Sequence, residues 1–190
     1  MTLRDIDDHT DDELRGMVRR GELVRLGRGC YVDGDRWRAA DVDERYLLRV
    51  RAALSRRSSI AVASHHSAAA VLGLATLHPD RSRVHVSVEG RGGGKSTSSC
   101  VEHRVSSTDA DRTSVDGLRV TTPARTALDL SCVGSPVQAL CAVESALRLG
   151  RTSRRRCPGW AAGTVSLAHA RRYTWPAHSP RASASRGVGR

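Results

Sequence analysis

Apolar residues recur along the chain at two spacings, and the points where one gives way to the other mark its elements. Over residues 11–20, Leu14, Met17 and Val18 fall at i, i+3 and i+4, one stripe of a helix whose opposite face carries Arg15, Arg19 and Arg20. Thr10 followed by Glu13 fits a capping box, Asp11 and Asp12 suit the positive end of the helix dipole, and Gly21 supplies a stop. The period then shortens. Residues 23–26 and 30–32 alternate apolar and polar around Gly27-Arg28-Gly29, which predicts strand, tight turn, strand.

Helical spacing returns over 41–57, where Val42, Tyr46, Leu47, Val50, Ala53 and Leu54 share a face and Arg49, Arg51, Arg56 and Arg57 decorate the other. Residues 60–63 read as a short buried strand, and Ser64 as the cap of an alanine-rich helix over 65–74 that ends near Gly73. VHVSV (84–88) and CVEHRV (100–105) are strands, joined through GRGGGKSTSS as a flexible hairpin connection. A turn at Asp116-Gly117 leads into a strand over 118–121. Thr122 and Pro123 then start a helix over 124–131, with Arg125 and Asp129 one turn apart as a surface pair. A last helix, 136–149, is expected to pack Val137, Leu140, Cys141, Val143, Ala146 and Leu147 and to close at Gly150.

Charge changes this picture at one place. The net charge of +11 suggests nucleic acid, but nine of the 31 Lys and Arg lie from Arg151 onward, where there is no Asp or Glu. The first 150 residues therefore carry 22 basic against 20 acidic side chains, nearly balanced. The region 151–190 is rich in Arg, Ala, Ser, Gly and Pro, lacks a periodic apolar face, and is expected to be a disordered basic tail. Because those residues have GC-rich codons, a frameshift near codon 150 is one origin for it. The alternative is a genuine basic arm in which Trp160, Tyr173 and Trp175 stack on bases.

Candidate chemistry is sparse. The five cysteines show no C-x-x-C and no neighbouring histidine at zinc spacing, so they are expected to be buried apolar thiols. His65 and His66 are adjacent and point to different faces, which excludes the i, i+4 chelate of a helical zinc pair and leaves capping and packing. The glycine-rich stretch 90–99 fails as a phosphate loop, because Glu89 stands where the first glycine is required and a strand follows rather than a helix. Asp109, Asp111 and Asp116 cluster, but beside Gly117, where aspartate is an ordinary turn residue. No catalytic residue, metal ligand or cofactor is expected. With no 18-residue apolar run and no leader-like apolar stretch in MTLRDIDDHTDDE, a cytoplasmic protein without a membrane partner is expected.

What remains is the arginine-bearing helix and the ribbon after it, the pattern a winged helix-turn-helix presents to DNA. The run RRGELVRLGRGCYV resembles the N-terminal winged-helix domain of AbiEi-type antitoxins, regulators of type IV toxin–antitoxin systems. ASHHSAAAVLGL (63–74), VHVSV (84–88) and VDGLRVTTPARTALDLS (115–131) resemble, in that order, the middle of a group of high-GC bacterial proteins that share this domain. In that group a C-terminal endonuclease domain similar to very-short-patch-repair nucleases commonly follows; the sequence after Arg151 does not resemble one. Against the family pattern, residues 1–10 are short for the opening helices, as a start codon assigned too far downstream would make them.

The expectation is an α+β chain: a winged helix-turn-helix over 1–35, a small mixed α/β domain over 36–150, and the tail. Its function is that of a non-catalytic DNA-binding regulator or antitoxin, with double-stranded DNA as partner and a cognate toxin implied by the resemblance. The DNA-binding residues would be Arg15, Arg19, Arg20, Arg25 and Arg28, of which Arg19 and Arg20 would enter or border the major groove and Arg25 and Arg28 would clamp phosphates. Two alternatives stay open: an inactive remnant of the endonuclease-bearing proteins, and a protein-interaction module for a toxin. The sequence leaves the oligomeric state open.

Overall fold

The computed structural model describes residues 9–57, 61–90 and 92–153. The expectations for residues 1–8, including the apolar turn of Leu3 and Ile6, and for the tail beyond Ser153, with Cys157 and its three aromatic residues, lie outside the described residues.

The first element among the described residues is α1 (Asp11–Arg19), held by the reciprocal bonds of Thr10 and Glu13 that their spacing predicts. It turns at Gly21 into the antiparallel hairpin β1 (Leu23–Gly27) and β2 (Cys30–Asp33), which pairs Leu23 with Asp33 and Gly27 with Cys30. Leu14, Leu23, Cys30 and Val32 face inward, so the two spacings read from sequence do generate one small apolar seam. The short helix α2 (Gly34–Ala39), which the sequence reading lacks, follows at once, with Asp33 accepting from the backbone N–H groups of Asp35 and Arg36. GDRWRA has no apolar stripe to reveal it, and the expected boundary at residue 35 falls inside it. A close approach fixes its start, since a Cβ placed on Gly34 would lie 2.0 Å from the carbonyl oxygen of Gly21. We therefore expect Gly34→Ala to force this backbone contact apart and destabilise the chain by about 1–3 kcal/mol, the usual scale for overpacking, as a lowered midpoint in urea unfolding.

α3 (Val42–Ser55) joins the two halves of the molecule. It is capped by Asp41 and Glu44, packs on the hairpin, and also packs on the large sheet. Arg45 ties it to α2, donating from Nε to the Trp37 carbonyl at 2.9 Å while its guanidinium lies over the Trp37 ring.

The large sheet has six strands in the order β5-β6-β4-β3-β8-β7: β3 (Val62–Ala63), β4 (Val84–Glu89), β5 (Lys95–Ser96), β6 (Cys100–Val105), β7 (Arg112–Val115) and β8 (Leu118–Thr121). The pairs β4/β6 and β3/β8 are parallel and the other pairs antiparallel. The flexible hairpin connection expected between residues 84–88 and 100–105 is corrected: β4 and β6 run parallel, and the stretch between them contributes β5, which pairs antiparallel with β6, Lys95 with Glu102 and Ser96 with Val101. Helix α4 (His65–Leu72) follows β3, and α5 (Pro123–Val133) follows β8 with Thr122 capping and Pro123 at its first position, as predicted. Helix α6 (Pro136–Ser153) packs on α5.

Two cores result. Tyr46 and Val50 of α3, Ala68 of α4 and Val84, Val86, Cys100 and Val120 of the sheet form the first. Ala69, Leu74, Ala127, Leu130, Ala142 and Ala146 form the second, between α4, α5 and α6.

Three expectations about the last helices are corrected. Arg125 and Asp129 do pair, at 2.8 Å, but the pair is buried rather than on the surface. Burial pushes the Asp129 carboxyl up to about 6 against the opposing pull of Arg125. In α6 the residues turned inward are Ala142 and Ala146, and Val137, Leu140, Val143 and Leu147 stay exposed; small residues let α6 approach α5 closely, which leaves the large ones outside. The helix also runs through Gly150 instead of stopping there. Among the cysteines, Cys30 and Cys100 are buried as expected, whereas Cys132 is exposed.

Candidate functional site

The five arginines singled out from sequence all lie on α1, the turn after it and the hairpin, and all are exposed. Arg15 pairs with Asp12 at 2.9 Å and Arg20 with Glu22 at 2.6 Å, both at the surface. Such solvated pairs are weak, so a phosphate can compete for either guanidinium. Arg25 donates from Nε to the Gly27 carbonyl at 3.3 Å, which holds it along the ribbon. Arg28 stands at the hairpin tip, next to Gly29, whose φ of +69° is the left-handed conformation the turn needs. Arg19 and Arg28 form no ion pair with the described residues. Behind this surface the hairpin is anchored to α3, where the Cys30 thiol lies 3.6 Å from the Ala52 carbonyl.

The aspartates at the other candidate cluster are occupied structurally. Asp111 accepts from the backbone and side chain of Thr108 and pairs with Arg125, and Asp109 pairs with Arg112. Asp116 sits at φ +48° in the turn between β7 and β8 and approaches Arg51 at 3.7 Å. The three carboxylates are spent on caps, turns and arginines, as the turn reading expects.

The structure adds a constellation that sequence spacing missed. Parallel pairing of β4 with β6 places His85 beside Val101 and Ser87 beside His103, on the face opposite Val84 and Val86. His65, at the first position of α4, closes over them: its ring stacks on that of His103 with centroids 3.7 Å apart, and His85 Nδ1 lies 3.0 Å from His103 Nε2. The ligand nitrogens of His65, His85 and His103 all lie within 4.8 Å of one another. His66 turns to the other side and meets only the edge of His85, so the expectation that His65 and His66 do not chelate together agrees with the geometry.

Each ring of the cluster is biased toward its neutral form. Burial, then the neighbouring rings of His103, His85 and His66, drive His65 down to about 2. Burial and the same crowding bring His85 to about 4, and burial alone lowers His103. Ser64, expected as a side-chain helix cap, instead places its hydroxyl 3.0 Å from His65 Nδ1 and makes no capping bond. The signal that could have disclosed the cluster is that His85 and His103 each sit inside a strand, on one face of the sheet, and it becomes readable only once the pairing of β4 with β6 is known.

Among known proteins, no curated sequence matches the chain. A family model does match, over residues 61–172, and it is described as the AbiEi antitoxin C-terminal domain. Its span begins at β3, takes in the large sheet and α4 to α6, and runs past Arg151, where the composition changes. The N-terminal stretch from which a resemblance to this family was read lies before that span. With the model covering more than half of its length, and the histidine-bearing sheet at the centre of the matched region, this chain belongs to the AbiEi antitoxin family.

Proposed function

We propose that the chain is a non-catalytic DNA-binding regulator of the antitoxin kind, which grips duplex DNA through α1 and the β1–β2 hairpin and meets a cognate toxin through its family domain. The observation that carries this reading is the display of Arg15, Arg19, Arg20, Arg25 and Arg28 on contiguous elements, all exposed and none committed to an interior carboxylate. A short helix followed by a glycine-tipped ribbon is the recognition half of a winged helix-turn-helix, in which the helix borders the major groove and the ribbon lies along the backbone. Membership of an antitoxin family supports a regulatory role and a toxin partner. Functions of this kind need surface charge and a rigid mount, and α3 supplies the mount by packing on both the hairpin and the sheet.

The test is a gel shift of the full chain on the DNA upstream of its own gene, beside a variant with all five arginines replaced by alanine. Because the five side chains are exposed, the variant is expected to keep its fold, seen as an unchanged circular dichroism spectrum, and to lose the shift. A folded variant that shifts the DNA as the natural chain does sinks the assignment.

A further inference from the structure

We propose that His65, His85 and His103 bind one divalent transition-metal ion of the zinc class, with a fourth coordination position open toward the partly exposed edge of the site. The three side chains come from the start of α4, from β4 and from β6, so the hydrogen bonding of the sheet brings together residues far apart in sequence. Their ligand nitrogens already lie within 4.8 Å of one another, with one pair at 3.0 Å. Tetrahedral zinc with metal–nitrogen bonds of about 2.0–2.1 Å separates its nitrogens by roughly 3.4 Å, so modest ring rotations complete the site. The Ser64 hydroxyl beside His65 Nδ1 leaves Nε2 of that ring as its ligand atom and fixes the ring's orientation, the task of a group just outside the coordination shell.

His85 is 7% exposed and turns its Nδ1 on His103 Nε2, while its Nε2 and the Ser87 hydroxyl on the same face of the sheet are buried with no hydrogen-bond partner among the described residues. His65 adopts φ +49°, a left-handed conformation uncommon outside glycine, and this backbone turn delivers its ring onto His103. The donors are imidazoles with no carboxylate among them, which selects zinc, cobalt, nickel or copper over magnesium and calcium. The site lies within the large sheet rather than on the arginine surface, so the proposal does not depend on DNA binding.

The experiment uses the full chain, stripped with a chelator and dialysed against cobalt(II), followed by metal analysis and the visible spectrum. The expected result is one ion per chain, a tetrahedral-type cobalt spectrum that zinc abolishes, and a raised melting temperature with either metal. His103→Gln, at a partly exposed position, is expected to weaken the affinity by more than about 100-fold, since loss of even an outer-shell partner costs roughly 10–100-fold. His9→Ala leaves binding unchanged. The proposal is overturned if the natural chain retains no stoichiometric ion, if folded His103→Gln binds as tightly as the natural chain, or if thiolate charge-transfer bands place the ion on a cysteine. Should His103→Gln prove unfolded, the stoichiometry and spectrum of the natural chain decide alone: one ion ligated by nitrogen sustains the proposal, and any other result ends it.

Discussion

Replacing Tyr46 with alanine is expected to cost about 3–5 kcal/mol of unfolding free energy, the range found when a large buried aromatic side chain is removed and its cavity relaxes only in part. Tyr46 is 1% exposed at the centre of the first core, where α3 meets α4 and the sheet. Its hydroxyl lies 2.8 Å from the Ser67 hydroxyl and 3.0 Å from the Arg83 carbonyl. Burial drives that phenol up to about 12, so it stays protonated and bonded throughout the working range. Tyr46→Phe keeps the ring and drops the two bonds, at about 1–1.5 kcal/mol. Ser67 retains a partner in that variant, because the backbone N–H of His85 still donates to it. Against a total of about 5–15 kcal/mol for a domain, the alanine variant is brought to the edge of folding and the phenylalanine variant is not. Urea unfolding of the two, side by side, checks the assignment; equal losses would mean that the ring packs nothing. Since α3 also carries the hairpin, loss of DNA binding in Tyr46→Ala should follow loss of folding.

The second large effect is in acid. In the metal-free chain, His65 and His85 stay neutral in the folded state well below the pH at which the unfolded chain protonates them. The unfolded state therefore binds more protons once the pH drops under about 6.5, and stability falls as pH falls. Above about 6.5 neither ring contributes a slope. Each unit below it costs about 1.4 kcal/mol per ring. Asp129 works the other way: its carboxyl, raised to about 6, takes up a proton on folding as the pH drops beneath that value and returns part of the loss. These three groups together predict a loss of roughly 2–3 kcal/mol between pH 7 and pH 5, read from urea midpoints in the presence of chelator, and His66 and His103, both lowered by burial, add to it. In His85→Asn, with one of the two rings gone, that slope should shrink visibly. A flat profile in the natural chain would show that the rings are charged or solvated in the fold.

The parts of the molecule that were legible in sequence are those whose determinants are local. The Thr10–Glu13 box, the Gly21 stop and the alternation on either side of Arg28-Gly29 define α1 and the hairpin within a few residues each. Thr122-Pro123 marks the start of α5 in the same way. What escaped depends on neighbours. Six residues without a periodic stripe hide α2, whose stability comes from the Asp33 cap and from Arg45 reaching back to Trp37. The inner face of α6 is set by the closeness of α5, so Ala146 lies inside as expected and Ala142 beside it, while Val137, Leu140, Val143 and Leu147, which looked like core, lie outside. Arg125 and Asp129 have the spacing of an ordinary surface pair, and only the tertiary setting of α5, packed against α4 and α6, buries them. The histidine cluster is the extreme case. His65 judged beside His66 is a poor chelator, whereas the same ring judged beside β4 and β6 is one corner of a triangle.

The claim that α1 and the hairpin form the DNA-gripping surface is tested most directly by the salt dependence of binding. Anisotropy titrations of promoter DNA, over roughly 50–200 mM salt, give the slope of log affinity against log salt for the full chain and for the variant lacking Arg15, Arg19, Arg20, Arg25 and Arg28. With about 0.9 released ions per phosphate contact, the two slopes are predicted to differ by about 2 if only Arg25 and Arg28 meet phosphates and by about 4.5 if all five arginines do, whatever the tail contributes to both. Equal slopes in two folded proteins would contradict the account and place the DNA-binding charge elsewhere in the chain.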